Sequence, residues 1–91
     1  MLVLQADCTL AEADSLQAAL TGLLEEPRTV TLDAGAVQRI DTAALQLLAA
    51  FVRDRRLAGR IVGWREAERT LEPAARLLGM SDMLGLAGAP R

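Results

Sequence analysis

Apolar and polar positions alternate along the chain as short apolar runs separated by longer amphipathic stretches. Leu2 to Gln5 reads as a first strand. Thr9, with Glu12 three residues on, has the spacing of a capping box and predicts a helix from about Leu10 to Leu24. Its core stripe is Ala13, Leu16, Leu20, Leu23 and Leu24, and Pro27 stops it. Thr29 to Leu32 is β-branched and apolar, the mark of a central strand, and Asp33-Ala34-Gly35 ends it with turn chemistry. A second helix is expected from Thr42 to about Leu57, closed by Ala58 and Gly59. Arg60 to Trp64 is the next strand. Pro73 fits a first helical turn, so a third helix is placed from about Leu71 to Leu78, with Thr70 as cap and Gly79 as stop. A last short helix begins at Ser81, and the Gly88-Ala89-Pro90 end is expected to be loose. This alternation predicts one α/β domain over residues 1–91, built around one sheet.

The segment from Val30 to Phe51 joins a buried strand, a tight loop and an abrupt helix start. Asp41 and Thr42 stand at the mouth of that helix, beside an amino end that favours negative charge. At about 100° per residue, Thr42, Gln46 and Arg53 fall within about 40° of one another, flanked by Ala49 and Ala50. Ala44, Leu47, Leu48 and Phe51 share the opposite, core side. An ordinary solvated stripe has the same spacing. This stripe, however, carries alanines where a solvated face usually carries Lys or Glu, and small residues let another protein approach closely. Asp41, Thr42, Gln46, Ala49, Ala50 and Arg53 are therefore the candidate partner-binding residues.

Composition narrows the function further. Apolar residues make up 52% of the chain with one Phe, one Trp and no Tyr, so the core must be mainly Leu, Val and Ala. So few aromatics argue against a base-stacking surface. Ten arginines against twelve acidic residues leave a formal charge of −2, which does not favour nucleic acid or anionic lipid. Every basic residue is Arg, in an Ala- and Leu-rich chain, as expected of a GC-rich bacterial genome. Cys8 is the only cysteine, so no internal disulfide forms and a cytoplasmic location is expected. The amino end has no signal-peptide pattern. The longest apolar run, Ala43 to Val52, is interrupted by Gln46 and falls short of the ~20 residues of a membrane span. A soluble protein without membrane insertion is expected.

Catalytic and metal chemistry find little support. The chain has no His, and one Cys cannot build a zinc site. Asp33 and Asp41 could be imagined as paired carboxylates, but one ends a strand and the other caps a helix. No glycine-rich phosphate loop follows a strand. Neither a catalytic residue, a metal nor a cofactor is expected. Arg53, Arg55, Arg56 and Arg60 form a basic cluster, three of them in the last turns of a helix where cations complement the dipole. Trp64, at a strand end, suits a core lid better than a ligand platform.

The order of strand, Leu32-Asp33 with Val37, Ile40-Asp41-Thr42-Ala43-Ala44-Leu45, apolar helix with Leu48, Gly59, strand, then Leu77-Leu78-Gly79 resembles the STAS domain of bacterial anti-sigma factor antagonists and sulfate-transporter tails. The resemblance spans nearly the whole chain. It implies a mixed sheet of about four strands with about four helices packed on it. It also implies a non-enzymatic regulatory module whose partner docks at the start of the second helix, the surface reached independently by the helix count.

The same comparison exposes a departure. Antagonists of the sporulation type carry Asp-Ser-Ser-Gly here, and a partner kinase phosphorylates the second serine. Ala43 stands at that position and has no hydroxyl, and Ala44 replaces the glycine. Thr42 matches the first hydroxyl and is the remaining phosphorylation candidate. Asp-Thr followed by small residues is similar to the STAS subunit of the bacterial phospholipid-transport ABC complex, whose threonine region contacts the ATPase, and to STAS proteins encoded with chemotaxis components. The first reading is thus a module of the anti-sigma factor antagonist type that binds an anti-sigma factor of serine-kinase type; an accessory subunit that binds and stabilises an ABC transporter ATPase, or a chemotaxis adaptor, is the alternative.

Overall fold

The computed structural model describes residues 1–86. In chain order the elements are β1 (Leu2–Val3), β2 (Asp7–Cys8), a 3-10 turn (Leu10–Glu12), α1 (Ala13–Thr21), β3 (Val30–Asp33), β4 (Arg39–Ile40), α2 (Thr42–Leu57), β5 (Val62–Arg65), α3 (Leu71–Leu77) and α4 (Ser81–Leu84). The Gly88-Ala89-Pro90 end lies outside the described residues.

The α/β class holds, but the expected single mixed sheet is two small sheets whose described pairs are all parallel. Helices connect successive strand segments, and a helical crossover returns a strand parallel to its predecessor. Strands β1, β3 and β5 form one sheet in that order, with Leu2 opposite Leu32 and Leu32 opposite Trp64. β2 pairs with β4, Cys8 opposite Ile40. The split has a local cause: the Asp33 carboxylate accepts from the Gly35 N–H at 2.8 Å, and the Val37 N–H closes a turn on the Ala34 carbonyl at 3.1 Å. That Asx turn bends the chain between β3 and β4. The segment opposite therefore pairs first with one and then with the other.

Along β3, Val30 and Leu32 are buried while Thr31 and Asp33 are half-buried, so the core lies on one side of the strand. It joins Leu4, Leu20, Leu45, Leu48, Phe51, Leu71, Ala75 and Leu84 in one cluster, with Leu16 and Val62 packed at its edge. Trp64 is half-buried, and its indole N–H donates to the Leu84 carbonyl at 2.7 Å, which makes it the core lid expected from its position.

The expected caps of the first and third helices need correction. Thr9 makes no side-chain cap and no capping box forms; a 3-10 turn precedes a shorter α1 that ends at Thr21, and Leu23 and Leu24 lie in the turn beyond it. Leu77 and Leu78 are exposed, at 88% and 48%, because α3 buries Leu71 and Ala75 instead. Gly79, at φ 68°, then turns the chain so that Met80 donates its N–H to the Ala75 carbonyl at 2.8 Å and returns to the core. Thr70 likewise makes no side-chain cap.

Candidate functional site

The expected bounds of the second helix, Thr42 to Leu57, are the observed ones. Asp41 caps it. One carboxylate oxygen accepts from the Ala44 N–H at 3.1 Å and the other from the Leu10 N–H at 2.8 Å. A single side chain thus closes α2 and fastens the 3-10 turn before α1 to its head. Both oxygens are engaged within the chain, so Asp41 shapes the corner rather than presenting a bare carboxylate. Thr42, the first residue of the helix, is exposed.

The buried arc of α2 is Ala44, Leu45, Leu48, Phe51, Val52 and Arg55. Leu47, expected on the core side, is half-buried and lines a groove between α1 and α2 together with Leu20, Leu24, Ala50 and Asp54. The outer arc forms one wall of a second groove, of about 370 Å³, between α2 and α4. Four of the six candidate residues line it: Gln46, Ala49, Ala50 and Arg53. Arg56, Leu57, Met80 and Met83 complete it. Ala50 borders both grooves. The structure thus brings Gln46, Ala49, Ala50 and Arg53 together along one groove, while Thr42 stands exposed at the head of the helix outside it and Asp41 turns inward.

A comparison with protein-family models finds that the one described as Mlab, STAS domain matches residues 1–86. The chain belongs to the STAS domain family. A comparison with curated proteins finds no match.

Within this STAS domain, the residue that sequence reasoning missed is Arg55. It is completely buried, although it stands among arginines expected at a solvated helix end. One terminal guanidinium nitrogen donates to the carbonyls of Leu23 at 3.1 Å, Leu24 at 3.5 Å and Glu26 at 2.6 Å. The other donates to Arg28 and Ile61, both at 2.9 Å. Only Nε lacks a partner, and the guanidinium carbon lies 6.0 Å from the Phe51 ring centroid. A cation reaching carbonyls just beyond α1 also meets the negative end of that helix dipole. Arg55 therefore joins the α1–β3 connection to the carboxyl end of α2 and the entry to β5.

Cys8 is buried against the sheet, and its thiol donates to the Gln5 carbonyl at 3.3 Å. Desolvation pushes its pKa above the usual 9.0, with Asp41 and Asp7 adding to the rise. A protonated, enclosed thiol is a poor nucleophile. No helix among the described residues is long and apolar enough to cross a membrane.

Of the four groove residues absent from the candidate set, Met80 and Met83 come from outside α2. Their spacing of three marks one face of a short helix, but nothing in the sequence says that this face meets α2.

Proposed function

We propose that this STAS domain is a non-enzymatic adaptor that docks one protein partner on the outer face of α2, headed by Thr42. The observation that carries the reading is the small, half-buried pair Ala49 and Ala50 between exposed Gln46 and Arg53 on a helix whose other side is fully used in the core. Side chains that end at Cβ allow a partner's backbone to approach, and the rigid, capped helix supplies preformed geometry that lowers the entropic cost of association.

Ala43 favours one partner class. Without a hydroxyl at the position where sporulation-type antagonists are phosphorylated, binding does not follow that switch. The reading preferred here is an accessory subunit that binds and stabilises an ABC-type transporter ATPase, as the resemblance of Asp41-Thr42-Ala43 suggests. An anti-sigma factor of kinase type is the alternative. If the docking face is regulated covalently, Thr42 is the residue that carries the phosphate. Its position suits the helix dipole, but Asp41 already occupies the Ala44 N–H and repels a second negative group.

The test is a pull-down with the purified domain, identified by mass spectrometry, followed by affinity measurements on Thr42→Glu. A transporter ATPase whose binding weakens with Thr42→Glu supports the reading. A sigma-regulating kinase overturns the choice of partner. Fragment mass analysis of protein from its native host locates any phosphate, and phosphate at Thr9, Thr21 or Ser81 alone excludes Thr42 as the modified residue.

A further inference from the structure

Resting on that docking reading, we infer that the groove between α2 and α4 receives an amphipathic helix of the partner whose apolar ridge is flanked by carboxylates. The floor is Ala49 and Ala50, and Leu57, Met80 and Met83 supply the apolar walls. Small residues at a helix contact permit interaxial distances near the short end of about 8–10 Å. Methionines adapt their shape to an inserted side chain. Leu57 and Met83 are 80% and 50% exposed, more apolar surface than the fold itself requires.

Charge complementarity selects the occupant. Arg53 and Arg56 border the groove, and no carboxylate lines it. An adjoining depression repeats the pattern with Arg56 and Arg60 beside Ile61, again without a carboxylate. Two other hollows differ: Asp54 lines the α1–α2 groove, and Asp7 and Glu12 line the one between α1 and the β1–β2 segment. The linings of the α2–α4 groove and the adjoining depression are thus positive in a chain whose formal charge is −2, with the exposed carboxylate of Asp82 on α4 outside them. Among the described residues, Arg56 and Arg60 form no ion pair, and Arg53 pairs only with its exposed neighbour Asp54 at 3.2 Å. Two exposed guanidinium groups beside an apolar trough match glutamates or aspartates flanking a hydrophobic ridge. The concave shape and the lack of aromatic lining fit a helix better than a layer of anionic lipid headgroups.

The test is fluorescence anisotropy of the whole chain with three labelled helical peptides that share one leucine ridge and differ in flanks of Glu, Gln or Lys. The Glu-flanked peptide is expected to bind at least ~10-fold more tightly than the Lys-flanked one, with the preference reversed in an Arg53→Glu, Arg56→Glu double variant. Arg53→Gln with Arg56→Gln, checked by thermal melt, should bring the two peptides to similar affinity and guards against misfolding of the reversed variant. The inference is overturned if no peptide binds, if the order survives charge reversal, or if the chain binds phosphatidylglycerol vesicles while ignoring peptide charge. For the partner recovered by pull-down, loss of binding with Thr42→Glu but not with the double reversal leaves the docking face standing and removes the acidic helix. Indifference to both removes the docking face as well.

Discussion

The two ends of α2 are each tied to the α1 region by one charged side chain, and the two ties are built differently. At the amino end Asp41 is half-buried and accepts two backbone N–H groups. At the carboxyl end Arg55 is fully buried and gathers five backbone carbonyls from two separate stretches of chain, the α1–β3 connection and the entry to β5. The first is a local cap with one added contact. The second is a hub: removing it strands the Leu24, Glu26 and Arg28 carbonyls at once, while those of Leu23 and Ile61 keep backbone donors in Glu26 and Val30. The helix that carries the proposed docking face is thus held more firmly at the end away from Thr42.

The largest expected effect tests the hub. Arg55→Ala should destabilise by about 3–5 kcal/mol in a denaturant melt, since it leaves buried acceptors unpaired and a cavity behind. Arg55→Lys should recover only part of this, because one ammonium cannot span carbonyls that the planar fork reaches on two sides. A loss near that expected of a surface arginine would mean that water replaces the guanidinium freely.

Asp41→Ala comes next, at about 1–2 kcal/mol, for the lost cap and the lost tie to Leu10. Asp41→Asn keeps one acceptor oxygen and should lose less; equal losses would show that a single neutral acceptor contributes nothing at this corner. The neighbours of Arg55 sharpen the contrast. Arg53→Ala and Arg56→Ala, one or two residues away but exposed, should each change stability by less than about 0.5 kcal/mol.

The smallest effect is one of pH. The Arg28 backbone N–H and then its guanidinium, 3.2 and 3.1 Å from the Glu26 carboxylate, hold that carboxyl below its usual 4.5, with Arg55 adding to the effect. A pKa lowered by folding contributes stability in full above the ordinary value and loses it as pH falls through the folded one. Glu26→Gln should therefore flatten the acid limb of a stability profile below about pH 5 and leave the neutral region nearly unchanged.

The sequence made one end of α2 legible and hid the other for a physical reason. Asp41 sits directly before the helix it caps, so its role follows from local chemistry, and Gly59, at φ 75°, marks the far boundary through the same kind of short-range geometry. Arg55 lies in a run of arginines where the dipole already accounts for positive charge, while its acceptors at Leu23 and Arg28 are 32 and 27 residues away. The false capping box at Thr9 belongs to the same class. Asp41, 31 residues further on, takes the Leu10 N–H at that helix start. The buried side of α3 was not legible, because two adjacent leucines, Leu77 and Leu78, fit either side of a short helix, and the turn at Gly79 decides the side. Of the candidate site, the α2 stripe was legible from helical spacing. The opposite wall, Met80 and Met83, depends on how α4 packs and carries no local signature.

The central claim, that a partner docks on the outer face of α2, is tested most directly by comparing the affinities of Ala50→Arg and Leu77→Arg for the recovered partner, with a thermal melt of each. Both place an arginine on a helix, one between the two grooves and the other on an exposed site of α3. The account expects Ala50→Arg to abolish binding through steric clash and a buried charge while the fold survives, and Leu77→Arg to bind like the parent. Parent-like binding by a folded Ala50→Arg, or loss of binding with Leu77→Arg alone, would contradict it.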